Sequence, residues 1–373
     1  MRLALGGMLA MAAGIGIGRF VYTPILPPMT DALGFTKSTA GLIASANFVG
    51  YLAGALLAAF STLPGSRRAW LLGALTISAA TTAGMGLTMS IPIFLALRFA
   101  GGVSSALVLI LSSALVLERL AAQGRGALTP LHFAGVGVGI VASAVAVAAL
   151  QAVALPWQTL WFGAGALALA ATLGVWVLVP DSAGTAPSPS KAGVADGGLG
   201  WLVAAYGLFG FGYVITATFI VAIVRSTPSI APLEPAIWVV VGLAAAPSVI
   251  LWTWLARRFG IVGGFGLACL TEAVGVLASV VWPTASGIML ASALLGGTFM
   301  GLTALGLMRA RELAAGLDPR RAMARLTGMF GLGQIVGPIF AGAVFDMTGD
   351  FALPSYVAAA GLVVAALLVR VRR

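Results

Sequence analysis

Residues 198–225 read GLGWLVAAYGLFGFGYVITATFIVAIVR, an uncharged and mostly apolar run that stops only at Arg225. At about 1.5 Å per residue, a helix of this length crosses the ~30 Å hydrocarbon core of a bilayer. Its apolar residues are continuous, not alternating, so a barrel strand does not fit, whereas a helix satisfies its own backbone hydrogen bonds in lipid. The rest of the chain repeats this pattern. Hydrophobic residues make up 60% of the sequence and charged residues 8%, with a mean hydropathy of +1.08; soluble domains carry roughly 25% charge. Apolar runs bounded by turn and charge signals predict about twelve helices, at roughly 3–26, 37–62, 68–89, 91–118, 126–150, 156–180, 198–225, 233–256, 260–282, 284–310, 322–346 and 351–371.

The net charge of +10 and pI near 11 would suggest a nucleic-acid partner in a soluble protein. Position gives a different cause. With the N-terminus cytoplasmic, Arg2, Arg67, Arg68, Arg119, Arg125, Lys191, Arg257, Arg258, Arg309, Arg311, Arg320, Arg321, Arg325, Arg370, Arg372 and Arg373 fall on the inner side. Only Lys37 and Arg225 fall on the outer side. This is the positive-inside pattern, so nucleic acid is not expected as a partner and both termini are expected in the cytoplasm. The excess of arginine over lysine fits a GC-rich bacterial genome, hence a bacterial cytoplasmic (inner) membrane. The start resembles a signal peptide, but its apolar run continues to Leu26 and pairs with a later helix in the repeat described next.

Residues 181–197 form the one long Pro-, Ser- and Gly-rich stretch and read as a cytoplasmic linker between residues 1–180 and 198–373. Like features recur in the two halves, in order, at an offset of roughly 190 to 195 residues. Gly16 and Gly18 match Gly210 and Gly212, Arg67-Arg68 matches Arg257-Arg258, and Gly101-Gly102 matches Gly296-Gly297. Arg125 matches Arg320, and Gly137 with Gly139 matches Gly331 with Gly333. The expected fold is therefore an all-α membrane protein of twelve transmembrane helices in two pseudo-symmetric six-helix bundles, an architecture of alternating-access transporters.

The architecture resembles the major facilitator superfamily. Gly16-Ile-Gly-Arg19-Phe-Val-Tyr22-Thr-Pro24-Ile-Leu-Pro27 and Gly210-Phe-Gly-Tyr213-Val-Ile-Thr-Ala-Thr218-Phe look like its YbfB/YjiJ-type branch. Arg98-Phe-Ala-Gly101-Gly102 resembles the superfamily's helix 4 motif, whose arginine is implied to act in coupling or gating. Gly333-Gln-Ile-Val-Gly337-Pro338 is similar to the exporters' helix 5 motif but lies in helix 11, and the helix 5 counterpart Gly135-Val-Gly-Val-Gly139 lacks the proline, which weakens an inference of drug antiport. The loop Pro64-Gly65-Ser66-Arg67-Arg68 lacks the family's aspartate, leaving its arginines to bind helix ends or lipid phosphate. The resemblance implies transport, with helices 1, 4, 7 and 10 lining the cavity.

Arg19 and Arg98 lie within spans, each about seven residues, or roughly 10 Å, from the expected outer helix end. A charge at that depth costs about 2.5 to 3.5 kcal/mol or more and calls for water or a partner. No carboxylate lies within a span of the first half, since Asp31 falls in an outer loop and Glu118 at an inner helix end. Two readings stand: a shared positive site for a carboxylate, sulfonate or phosphate, or arginines that cap backbone carbonyls or snorkel. Tyr22 shares the face of Arg19, and Tyr213 and Thr216 are the candidate opposing wall, with core packing as the alternative for each. Glu272, the mid-span carboxylate of the second half, and His132 are candidate proton carriers, against a neutral hydrogen-bonded acid and a structural histidine. Asn47 and Gln334 are candidates for gating or for interhelical hydrogen bonds. The run Arg309 to Arg325, with Glu312 and Asp318, offers gating ion pairs or only a topology signal.

The leading expectation is a secondary transporter, acting as a monomer, that uses an ion gradient, protons foremost, to move a small organic anion. Efflux of hydrophobic compounds is the alternative, and a transporter-like receptor is a third. Without a nucleotide-binding motif, a convergent catalytic cluster, or metal-ligand spacing around Cys269 and the lone histidine, neither an ATP-driven pump, an enzyme, a metal nor a cofactor is expected.

Overall fold

The computed structural model describes residues 1–60, 64–181, 198–313 and 319–371, and the regular elements among them are all helical. In chain order the helices are α1 (Arg2–Leu33), α2 (Lys37–Phe60), α3 (Arg67–Gly84), α4 (Ile91–Ala122), α5 (Thr129–Ala152), α6 (Trp157–Leu178) and α7 (Leu199–Ser226). They continue with α8 (234–259), α9 (261–281), α10 (Ala285–Leu313), α11 (Pro319–Thr348) and α12 (Ala352–Leu368). Among the described residues, ten segments are long and apolar enough to cross a bilayer. One of them, Ala231–Val281, breaks at Gly260 (φ 75°, ψ 160°) and supplies two spans, because Gly264 then packs against Ala256. The shorter apolar Ala352–Leu368 is the twelfth helix. Of the expected linker, residues 182–197 lie outside the described residues.

α1 corrects the sequence reading. It runs to Leu33 instead of ending at residue 26, because Pro27 and Pro28 sit inside its second segment, Tyr22–Leu33. Proline is tolerated there since neighbouring helices take up freed backbone groups. Arg19 accordingly stands near the middle of α1, about 20 Å from Leu33, not in its outer third.

α1 and α7 form the centre: 83% and 89% of their most apolar windows are buried, against 61% or less elsewhere. Without a hydrophobic force between helices in lipid, close approach depends on small residues. A Cβ on Gly14 would meet Val108 of α4 at 2.7 Å, and one on Gly16 would meet Val136 O of α5 at 2.5 Å.

A single offset relates the bundles in three dimensions. Gly16 backs onto Val136 O and Gly210 onto Phe330 O, while Gly102 backs onto Asn47 O and Gly296 onto Val241 O. All four pairs are carried into one another by the 194 residues that separate Thr23 from Ala217, which are themselves hydrogen-bonded across the bundles at 2.8 Å. A residue that touches its own repeat equivalent lies on the pseudo-twofold axis. Asp31 and Arg225, the next such pair, form an ion pair at 2.7 Å, so the axis follows the meeting of α1 and α7 toward the face opposite the termini. Around it α2 packs on α11 and α5 on α8. The same operation takes the contact of Gly137 with Ala246 to that of Gly331 with Leu52.

Gly296 and Gly297 give an internal control. Gly296→Ala drives a Cβ into Val241 O, whereas nothing stands within 4 Å of a Cβ on Gly297. The first substitution is expected to lower stability in detergent by about 1–3 kcal/mol, and the second to be neutral or slightly stabilising; thermal unfolding monitored by size exclusion checks both.

Candidate functional site

The site begins where α1 stops being an ordinary helix. Ala12–Ile17 is wound as a π-helix, with Gly18 N donating to Ala13 O and Phe20 N to Ile15 O. Beyond it Thr23 N turns back to Phe20 O, and Pro24 has no N–H to offer. The carbonyls of Gly18 and Arg19 are thereby left without helical donors. Arg98 supplies them, donating from Nη1 to Gly18 O at 3.3 Å and from Nη2 to Arg19 O at 3.2 Å, with its guanidinium 4.8 Å from the Tyr22 ring centroid. Asn47 Nδ2 holds the Arg98 carbonyl at 3.0 Å, and Tyr22 donates its hydroxyl to Ala40 O at 2.8 Å. Of the two readings of Arg98, carbonyl capping is the geometry found. Tyr22 and Asn47 belong to the same brace.

Arg19 is placed differently. Its guanidinium lies 4.6 Å from the ring centroids of both Phe48 and Tyr51 on α2, and 5.5 Å from that of Phe20. The residue is 6% exposed, and Nε and Nη2 have no hydrogen-bond partner. Three cation–π contacts at about 0.5–2 kcal/mol each are comparable to the cost of the charge. They do nothing for two buried donors, each of which costs about 1–3 kcal/mol unpaired. No carboxylate forms an ion pair with Arg19 among the described residues. Aromatic rings pack against both arginines in this conformation.

Facing Arg19 at the repeat-equivalent position, Tyr213 is stacked between Phe299 and Phe330 at 5.9 Å and accepts a hydrogen bond from Gln334 Nε2. Phe20 closes the junction against Phe299 at 5.6 Å and Trp238 at 6.3 Å, leaving no space wide enough for a water molecule. Thr216 Oγ1 is buried and unpartnered. Glu272 is fully buried with both carboxylate oxygens unpartnered, because the hydroxyl of Thr298 that it faces is given to Leu294 O at 2.6 Å. His132 stands apart, near the termini face, with Nε2 3.5 Å from Ser113 Oγ and its ring against Phe133.

Sequence reading missed the seal above the site. Among the described residues, the polar contacts that cross between bundles lie toward the face opposite the termini: Thr23 with Ala217, Ser45 with Ile335 O at 2.7 Å, Asp31 with Arg225, and Asp346 with Lys37 N and Ser38 N at 3.0 and 2.9 Å. Asp346 of α11 thus caps the N-terminus of α2 in the other half. Glu234 also binds Arg225, at 3.2 Å. The offset carrying Gly16 to Gly210 would have paired Asp31 with Arg225. The ring partners Phe48 and Tyr51, one helical turn apart on α2, carried no signal beyond that spacing. The gating pairs expected in 309–325 fall partly in 314–318, outside the described residues; Arg309 and Glu312 pair within α10 at 3.0 Å and do not cross between bundles. Arg68 donates to Val179 O and Trp176 O at 2.7 and 2.6 Å, binding the end of α6 where the family's loop motif would use an aspartate.

A family model described as "Uncharacterised MFS-type transporter YbfB" matches residues 11–370. A chloramphenicol resistance protein of Streptomyces lividans is 32% identical over 183 residues, so the match spans 48% of this chain and 46% of that protein, about half the relative's length. The crystal structure of the nucleoside transporter NupG superposes with a TM-score of 0.72 at 16% identity, covering 99% of this chain and 98% of that one. A D-xylose-proton symporter does so with a TM-score of 0.73 at 16% identity, covering 99% and 96%. At such identity the likeness is one of fold.

The two arginines are expected to separate in a stability assay. Arg98→Met uncaps two carbonyls and should lower stability by about 2 kcal/mol or more. Arg19→Met removes an unpartnered charge, and the ligand-free protein should melt at the same temperature or higher. Equal destabilisation by both would make Arg19 a structural residue.

Proposed function

The chain belongs to the YbfB-type transporters of the major facilitator superfamily, and from that membership we propose that it moves a small organic anion by proton-coupled alternating access. One observation carries the choice of an anion: Arg19, on a central helix where the bundles meet, holds two buried donors and pairs with no carboxylate among the described residues. A bound carboxylate would supply both acceptors and the charge in a bidentate geometry. Residues 1–180 and 198–373 are the proposed rocking units, joined by 181–197. In the proposed orientation both termini are cytoplasmic in a bacterial inner membrane, so the sealed face looks outward and the described conformation is closed to the outside.

The seal suits a part that must open. Asp31 and Arg225 are 59% and 37% exposed, where an ion pair contributes about 0–1 kcal/mol, so outward opening does not require rupture of a strong bond. Glu272 is the proposed proton carrier: a carboxylate buried without an ion-pair partner among the described residues is costly when ionised. His132 is the second candidate. Binding of an anion at Arg19 and protonation of Glu272 would each neutralise a buried unpaired charge, which couples them through the same rearrangement.

Efflux of hydrophobic compounds is the competing reading, favoured by the likeness to the Streptomyces lividans chloramphenicol resistance protein and by the aromatic junction. Proteoliposomes separate the two. Under an imposed proton gradient, Arg19→Ala is expected to reduce organic-anion flux at least about tenfold, since it removes a charge-assisted contact. Undiminished flux of a neutral compound in that variant, with no anion flux in the unaltered protein, would assign efflux instead.

A further inference from the structure

The proposed anion leaves its organic part unspecified, and the surroundings of Arg19 narrow it. The unpartnered groups on the two residues that flank the Phe20 ring, Arg19 and Trp238, are donors, while the free acceptor nearby, Gln334 Oε1, belongs to the amide that binds Tyr213. Arg19 Nε and Nη2 and Trp238 Nε1 are buried without acceptors, on residues that flank the Phe20 ring at 5.5 and 6.3 Å. Tyr213, having accepted from Gln334, keeps its own hydroxyl proton to give. A ligand that fits these groups brings acceptors, not an ammonium or a set of hydroxyl donors. It also brings a single negative charge. Arg98, the other cation at this depth, has both Nη groups committed to Gly18 O and Arg19 O and keeps only Nε free, so a second carboxylate would find no bidentate partner there.

The remaining surface is mostly ring. Phe20 meets Phe299 edge-on at 71°, and Tyr213 lies within 5° of parallel to both Phe299 and Phe330. Phe20 comes from α1, Trp238 from α8 and Phe299 from α10, so the junction between Phe20 and the other two is also the junction between bundles. When the bundles tilt apart, the edges and faces now in contact become the two sides of a slot. A flat π-system replaces those ring contacts in kind, with edge-to-face and offset geometry, whereas a saturated ring of the same size offers only apolar area. Resting on the organic-anion reading, we infer that the substrate is an aromatic monocarboxylate. Its carboxylate is held by Arg19 and its ring sits between Phe20 and Phe299.

Three probes of similar size test this on the detergent-purified chain: benzoate, cyclohexanecarboxylate and benzamide, with dissociation constants from ligand-induced thermal shift. Benzoate is expected to bind about three- to tenfold more tightly than cyclohexanecarboxylate, with benzamide weaker than both. Phe299→Leu, confirmed folded by its melting profile, should bring the two acids to near equality, and Arg19→Met should abolish the advantage of benzoate over benzamide. Equal binding of the two acids by the unaltered chain overturns the aromatic preference while leaving the anion reading intact. Benzamide binding as tightly as benzoate, with no effect of Arg19→Met, overturns both. So does the absence of a shift with either acid.

Discussion

The structure depends on the meeting of α1 and α7 along the pseudo-twofold axis, where repeat-equivalent residues touch one another. At such a place identical side chains would face themselves: two aspartates or two arginines would repel. Divergence of the halves has made the contacts complementary, with Thr23 donating to Ala217 O and Asp31 pairing with Arg225. The same divergence puts Arg19 opposite Tyr213, so that a cation stands on one side of the axis and an aromatic stack on the other. The duplicated fold supplies the symmetry, and the broken symmetry at these positions supplies the chemistry.

From that contact the local structure follows in order. Glycines 14, 16 and 18 let α3, α4 and α5 approach α1 closely, and the π-wound stretch Ala12–Ile17 is followed by two carbonyls, of Gly18 and Arg19, without helical donors. Arg98 takes those carbonyls and fixes the backbone from which Arg19 projects. Two like charges within one helix pair therefore do different jobs. One holds the break in α1; the other keeps its donors free, at a stability cost that a purely structural residue would not be expected to carry.

Much of the fold was legible in the sequence because lipid leaves few alternatives: continuous apolar runs, paired glycines and matching arginines gave the spans and the repeat. The end of α1 was not, because Pro27 and Pro28 read as a stop in a single helix and are accommodated only by packing. For the site, sequence reading found Arg19 and Arg98 as charges out of place in a membrane, and Tyr213 as the position that the repeat pairs with Arg19. It could not tell capping from ligand binding, since that depends on whether the carbonyls of residues 18 and 19 are free. Asp31, Arg225 and Asp346 stood at span ends, and their pairing across the bundles is a property of the tertiary contact. The aromatic cage of Arg19 draws Phe48 and Tyr51 from another helix, where each reads as ordinary core.

Tilting of two bundles about the α1–α7 contact is tested most directly by electron–electron distance measurements on the reconstituted protein. One pair of spin labels would sit at Thr36 and Ser229 on the sealed face, and another at Gln123 and Arg257 toward the termini, all four being exposed. The account requires two distance populations in each pair, with the Thr36–Ser229 distance lengthening as the Gln123–Arg257 distance shortens when Asp31→Ala weakens the seal. A single unchanging distance in both pairs would contradict it.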